Sequence, residues 1–200
     1  MNDTPISKHL IELRDADFAL RDQLLREGRL NDGYDTEMEQ RHILNAMKLD
    51  DIIESIGYPT PAIVGQEAFE AAWLVTQHAI SLPAFMRKCA KMLAKAVSEG
   101  HVKPYYLAYL TDRIAVLEGN VQLYGTQFDW DDDGILSPNP VDDVNAVNER
   151  RASMNLGTLE EQTDAIRLRA KLEHQKPPSN LKQRRIEMDA WRIARNWING

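Results

Sequence analysis

The chain has 200 residues, of which 43% are hydrophobic, so it can bury a substantial core of its own. Its formal net charge is -7, but residues 165–200 hold nine Lys and Arg against three acidic residues, which leaves -13 on residues 1–164. An acidic body argues against a duplex-DNA-binding surface, and because no stretch reaches about 18 apolar residues, neither nucleic acid nor a membrane is expected as a partner.

Residues 5–27 predict an amphipathic helix, because leucines recur there at helical spacing and Gly28 follows as a stop signal. Asp17 lies inside this leucine stripe. An ion pair with Arg21, four residues later, accounts for a charge at that position. The first helix is therefore predicted to bury leucines and to pair Asp17 locally.

A second helix is predicted between the N-cap Asp35 and the stop signal Gly57. Its inward stripe contains His42 and Asn45 where apolar residues would be expected. A buried imidazole and a buried amide each need a partner, because an unsatisfied buried polar group costs about 1 to 3 kcal/mol. This stripe therefore indicates a polar site.

Two later helices are predicted to be largely buried. Residues 68–80 are mostly apolar or small until Gln77 and His78, and residues 105–117 carry only two charges, Asp112 and Arg113. A helix from Pro83 to Gly100 lies between them and contains the chain's single cysteine, which excludes an intrachain disulfide framework and fits a reducing cytoplasm.

After Gly119 the pattern predicts a β-hairpin, with strands at about 121–128 and 134–138 around an acidic turn. Asp142-Asp143 are the predicted caps of a helix to about Met154, and Thr158 with Glu161 predicts a capping box for another helix to about His174. Ser179 is the predicted cap of a last helix. The fold class is thus mainly α: a compact multi-helix domain over residues 1–162 with one β-hairpin, followed by a basic helical extension over residues 163–200. The acidic turn matches the first half of a calcium loop, but Pro140 replaces the essential twelfth ligand.

Several separated motifs occur in an order that resembles a known family. They are a Gly-aromatic-Pro-Thr segment, a Val-Gly pair, a Trp helix ending in Gln-His, a Leu-x-Asp-Arg helix, and a Gln-x-Tyr-Gly-Thr-Gln segment. In this chain they stand at Gly57 to Thr60, Val64-Gly65, Trp73 to His78, Leu110 to Arg113, and Gln122 to Gln127.

Over roughly residues 10–162 the chain resembles the bacterial domain of unknown function 6624 (DUF6624) family. Tyr58 departs from the family pattern, because a tryptophan usually stands there. The resemblance implies a fold unit and a set of motif residues. It implies no reaction, and the cofactor stays unknown because no motif supports one.

The sharpest candidate site joins His78 and Asp112. A carboxylate that orients an imidazole makes a general base with a defined tautomer, and Arg113 would bind an anion or a developing negative charge. The alternative is a buried hydrogen-bonded network that only fixes helix packing. Six residues are predicted to support or bind in either version: His42, Asn45, Tyr58, Gln77, Tyr124 and Gln127.

A metal site is a further alternative. Glu39 and His42 form one Glu-x-x-His pair, but a di-iron carboxylate bundle needs a second pair that the sequence lacks. A mononuclear site from His42, His78 and Asp112 stays open.

These patterns predict a cytoplasmic enzyme that modifies a small-molecule or peptide ligand by acid–base chemistry. The alternative is a non-catalytic interaction module of the immunity, antitoxin or scaffold type, in which the polar residues are structural. Residues 179–200 would then bind a protein partner or mediate self-association, because Trp191 and Trp197 lie there on a predicted basic helix.

Overall fold

The computed structural model describes residues 4–29 and 33–199, and these fall into two compact units that are divided between Lys103 and Pro104. The described residues of the first unit form α1 (Pro5–Arg26), α2 (Thr36–Ile56), α3 (Pro61–Val64), α4 (Gln66–His78) and α5 (Pro83–Ser98). Those of the second form α6 (Pro104–Leu117), β1 (Phe128–Trp130), β2 (Leu136–Pro138), α7 (Val144–Ser153), α8 (Leu159–Leu172) and α9 (Leu181–Ala194). The predicted mainly helical fold with one β-hairpin is confirmed.

In the first unit, α1, α2 and α4 pack against one another. The leucine stripe of α1 is buried, and so are most small or apolar residues of α4 up to Val75, with Trp73 and Leu74 partly buried. The predicted N-cap of α2 is confirmed, since the Asp35 carboxylate accepts hydrogen bonds from the backbone amides of Glu37 and Met38. Three helices therefore surround the polar residues that interrupt their apolar stripes.

In the second unit the hairpin is shorter than predicted. β1 and β2 pair antiparallel, with Phe128 opposite Pro138, whereas residues 121–127 form a loop with one isolated bridge from Gln122 to Val141. Backbone groups of that loop bond to buried side chains instead of to a neighbouring strand. The predicted first strand at 121–128 was therefore wrong for all but its last residue.

The carboxy-terminal helices begin close to the predicted positions. α8 starts at the capping box formed by Thr158 and Glu161, and it runs through the predicted division at residue 162. Asn180 caps α9 in place of the predicted Ser179, by accepting a hydrogen bond from the Gln183 amide. The assignment of residues 163–200 as an extension stays a prediction. Across residues 4–29 and 33–199, no helix combines the length and apolar character needed to cross a membrane.

Candidate functional site

Asp17 is the central residue of the candidate site. It lies on the buried face of α1, and only 1% of its side chain is exposed. The predicted local ion pair was wrong: the Arg21 guanidinium lies beside Asp22, 4.0 Å away. Burial instead brings the Asp17 carboxylate against side chains from α2 and α4.

Two imidazoles meet the same oxygen of Asp17. His78 Nδ1 donates a hydrogen bond to Asp17 Oδ2 at 2.9 Å, and His42 Nε2 lies 3.1 Å from that oxygen. The two ring centroids are 4.8 Å apart with the planes inclined by 42°. We call these three residues, Asp17, His42 and His78, the Asp17 cluster.

Local helix geometry explains why the Asp17 cluster forms. His42 and Asn45 lie one turn apart on the inner face of α2, and the Asn45 Nδ2 donates to the Leu13 carbonyl of α1 at 3.0 Å. His78 is the last residue of α4. The Asn45 side chain therefore joins α2 to α1 beside the cluster, and its predicted role in supporting or binding stays a prediction.

The electrostatics of the cluster favour an ionised carboxylate. Burial raises the pKa of Asp17, but the adjacent imidazoles of His42 and His78 outweigh burial and hold that pKa well below its ordinary value. Tyr34 Oη lies 2.6 Å from His42 Nδ1, so both nitrogens of that ring face polar atoms.

Exposure differs sharply within the cluster. The side chain of His78 is 26% exposed, that of His42 is 9% exposed and that of Asp17 is almost completely buried. His78 is therefore the member of the cluster that is most accessible to solvent. A carboxylate on Nδ1 favours the tautomer in which Nε2, on the opposite side of the ring, carries the lone pair.

The structure assigns Asp112 a different environment from the predicted one. His78 belongs to the first unit and Asp112 to the second. The Asp112 carboxylate is completely buried and accepts hydrogen bonds from the backbone amides of Leu123, Tyr124 and Thr126. The predicted pairing of His78 with Asp112 was therefore wrong, because the carboxylate that orients His78 belongs to Asp17.

The Gln-x-Tyr-Gly-Thr-Gln segment is a tightly held loop of the second unit. Gln122 is completely buried, and its side chain forms two hydrogen bonds with the Gln127 backbone. Its Nε2 donates to the Gln127 carbonyl and its Oε1 accepts from the Gln127 amide. Arg151, 1% exposed, donates to the carbonyls of Tyr124 and Gly157. Sequence reasoning missed the structural roles of both Gln122 and Arg151.

The other predicted site residues lie in buried or partly buried positions. Gln77 is buried in α4, one residue before His78. Tyr58 is also buried, which raises the pKa of its hydroxyl, and it lines a pocket of about 390 Å³ in the first unit. Burial lowers the pKa of Arg113 to about 10. The predicted ligand-binding and catalytic roles of these residues stay predictions.

The acidic turn is held by hydrogen bonds of its own. Asp131 Oδ1 accepts from the backbone amides of Asp133 and Ile135, and a single nitrogen of Arg184, Nη1, donates to both carboxylate oxygens of Asp129 at 2.7 and 2.9 Å. Two of the carboxylates in the calcium-like motif thus bond to protein groups. Within the second unit, the basic helix α9 contacts the acidic turn.

Fold and site together define a mainly helical protein of two units, the first of which carries a buried carboxylate that contacts two imidazoles. The chain belongs to the family of unknown function DUF6624, whose model matches residues 4–173. No curated protein and no solved structure matches the chain at a significant level. Family membership therefore agrees with the resemblance and assigns no reaction.

Proposed function

We propose that the protein is an enzyme that modifies a small molecule or peptide by acid–base chemistry at the Asp17 cluster. The observation that carries the proposal is the contact between one buried carboxylate oxygen and imidazole nitrogens from two other helices. Imidazoles oriented in this way recur at catalytic sites because their tautomer and direction are fixed.

His78 is the member of the cluster that meets the substrate, since it is the most exposed of the three. Asp17 orients its ring through Nδ1, and Nε2 exchanges the proton with the substrate. A positioned acid or base of this kind contributes about 100-fold to 10,000-fold to a rate. In this proposal His78 remains the base, and Asp17 replaces Asp112 as the residue that orients it.

A comparison of variants on a mixture of substrates tests the proposal. Purified protein is incubated with an extract of cellular small molecules and peptides, and the masses that change are compared between wild type and variants. His78→Gln and Asp17→Asn should lose a conversion that wild type performs. His101→Gln and Asp22→Asn are matched controls at exposed positions and should retain it.

Circular dichroism spectra and thermal melting would verify that each variant is folded. If folded His78→Gln converts the same species at the wild-type rate, the Asp17 cluster is not catalytic.

The proposal also includes a cytoplasmic location in a bacterium. The single cysteine, Cys89, which is buried and free, agrees with the cytoplasmic location, and the bacterial source is taken from the family resemblance.

A second candidate function, protein interaction through residues 179–200, is favoured by apolar side chains of α9. Trp197, one of the two tryptophans on which the prediction rested, lies beyond the end of α9 and is only 4% exposed, whereas Ile186 and Ile193 are 55% and 43% exposed. In that case a double substitution of both to Glu should reduce the molar mass measured by light scattering, or abolish retention of a partner. Unchanged mass and partners would exclude this use of α9.

A further inference from the structure

We infer that the Asp17 cluster binds a divalent transition-metal ion, with the Asp17 carboxylate, His42 Nε2 and His78 Nδ1 as its protein ligands. The inference rests on the proposed function, because it supplies the same cluster with an ion suited to acid–base chemistry. It replaces Asp112 by Asp17 in the mononuclear site considered from the sequence.

Two of the three distances between the ligand atoms match those found around one ion. Metal–ligand bonds of about 2.1 Å that meet at 90° to 110° place neighbouring ligand atoms about 3.0 to 3.4 Å apart. His78 Nδ1 and His42 Nε2 lie 2.9 Å and 3.1 Å from Asp17 Oδ2. All three ligand atoms lie within 4.8 Å of one another, so small rotations of the rings would complete the site.

Two buried atoms of the cluster lack hydrogen-bond partners among residues 4–29 and 33–199. Asp17 Oδ1 has none, and His42 Nε2, although it is close to Oδ2, lies off the direction that a hydrogen bond requires. A buried polar atom left in this way costs about 1 to 3 kcal/mol. An ion between the carboxylate and the two rings would satisfy both atoms at once.

The ligand types select the class of ion. Two imidazoles and one carboxylate suit Zn²⁺, Co²⁺, Fe²⁺ or Ni²⁺, whereas Mg²⁺ and Ca²⁺ prefer oxygen ligands. Three protein ligands leave a coordination position for water or substrate, as in catalytic rather than structural zinc sites. A bound ion of this kind lowers the pKa of its water and so supplies the base, and His78 would then serve as a ligand.

The surroundings of His42 match those of a metal-bound histidine. A ligating imidazole usually donates its other ring N–H to an oxygen, which fixes the ring orientation. Tyr34 Oη, 2.6 Å from His42 Nδ1, is placed to accept that proton. Tyr34→Phe therefore tests the site while leaving all three ligands in place.

Metal binding is measured on the full-length protein after treatment with a chelator. Titration with Zn²⁺ in a calorimeter, and with Co²⁺ by visible absorption, should show one ion per chain. Asp17→Asn, His42→Gln and His78→Gln should each weaken binding at least about 100-fold, and Tyr34→Phe about 10-fold. His101→Gln and Asp22→Asn should bind as wild type does.

Wild-type protein that binds neither Zn²⁺ nor Co²⁺ stoichiometrically would overturn the inference, as would cluster variants that bind both ions like wild type. The binding measurement is independent of turnover, so the two proposals fail separately. Protein that binds neither ion and still converts its substrate in a His78-dependent manner refutes the ion and keeps the enzyme. Stoichiometric binding, with conversion unaffected by His78→Gln, keeps the ion and refutes catalysis by the Asp17 cluster.

Discussion

Asp112 should be a structural residue, and Asp112→Asn is the substitution that tests this most directly. One carboxylate oxygen accepts from the amides of Leu123 and Tyr124, at 2.9 and 3.1 Å, and the other accepts from Thr126 at 2.9 Å. The side chain is completely buried, so water cannot replace it as the acceptor. Asp112 thus fixes the start of the loop that precedes the hairpin.

The geometry of Asp112 gives the size of the effect. Asn has one acceptor oxygen where Asp has two, so at least one of the three backbone amides loses its acceptor and faces the NH₂ group instead. The remaining hydrogen bonds also lose the contribution of the negative charge. A hydrogen bond to a charged group is worth about 1.5 to 3 kcal/mol, and a buried unsatisfied donor costs about 1 to 3 kcal/mol. We therefore expect Asp112→Asn to lower the free energy of unfolding by about 2 to 4 kcal/mol.

Urea denaturation followed by circular dichroism measures this change, and amide hydrogen exchange locates it. The exchange rates of Leu123, Tyr124 and Thr126 should rise in the variant more than those of distant helices. Asp164→Asn, at an exposed position of α8, is the matched control and should stay within about 0.5 kcal/mol of wild type. An Asp112→Asn variant as stable as that control would refute the structural role, and lost turnover in such a variant would make Asp112 a candidate catalytic residue again.

Three further substitutions test the loop and the acidic turn of the second unit. Arg151→Lys should lower the free energy of unfolding in urea by about 2 to 4 kcal/mol. The ammonium group of lysine cannot place its donors where the buried guanidinium now donates to the carbonyls of Gly157 and Tyr124. A loss below about 0.5 kcal/mol would contradict this. Gly125→Ala should lower the free energy of unfolding by at least about 1 kcal/mol more than Gly28→Ala does in the same assay. Both glycines have positive φ, but only at Gly125 would the new Cβ lie 2.6 Å from Leu159. Equal losses in the two variants would show that Leu159 moves away. Arg184→Gln should change stability by less than about 1 kcal/mol, because its ion pair with the acidic turn is roughly one-third exposed, and a loss above about 2 kcal/mol in low salt would be inconsistent with this expectation.

The helices were predictable because local signals define them. Leucine spacing on α1, the Asp35 cap of α2 and the capping box of α8 each act within a few residues of the helix they specify. The first hairpin strand was predicted too long, since residues 121–127 bond to side chains that lie far from them along the chain, including that of Asp112. These hydrogen bonds to side chains replace the pairing of strands, and the spacing of hydrophobic residues does not indicate them.

The candidate site was predictable in part for the same reason. His42, Asn45 and His78 were identified because polar residues replace apolar ones on buried stripes, and all three lie at or beside the cluster. Asp17 gave the same signal, but Arg21 four residues later offered a local partner that the structure does not use. Which helices pack together cannot be obtained from one sequence, so the carboxylate that meets His78 was assigned to the wrong helix.

The two buried carboxylates differ in how completely the protein satisfies them. Both oxygens of Asp112 accept backbone hydrogen bonds, so nothing further is needed at that position, and its removal should mainly destabilise the fold. One oxygen of Asp17 has no partner among residues 4–29 and 33–199, although it is equally buried, and a partly exposed imidazole lies beside it. A network that the described chain leaves incomplete is a poor device for stability and a suitable one for binding a ligand. We therefore propose that the Gln-His motif of α4 serves the ligand site at the Asp17 cluster, whereas the motifs around Asp112 hold the loop of the second unit.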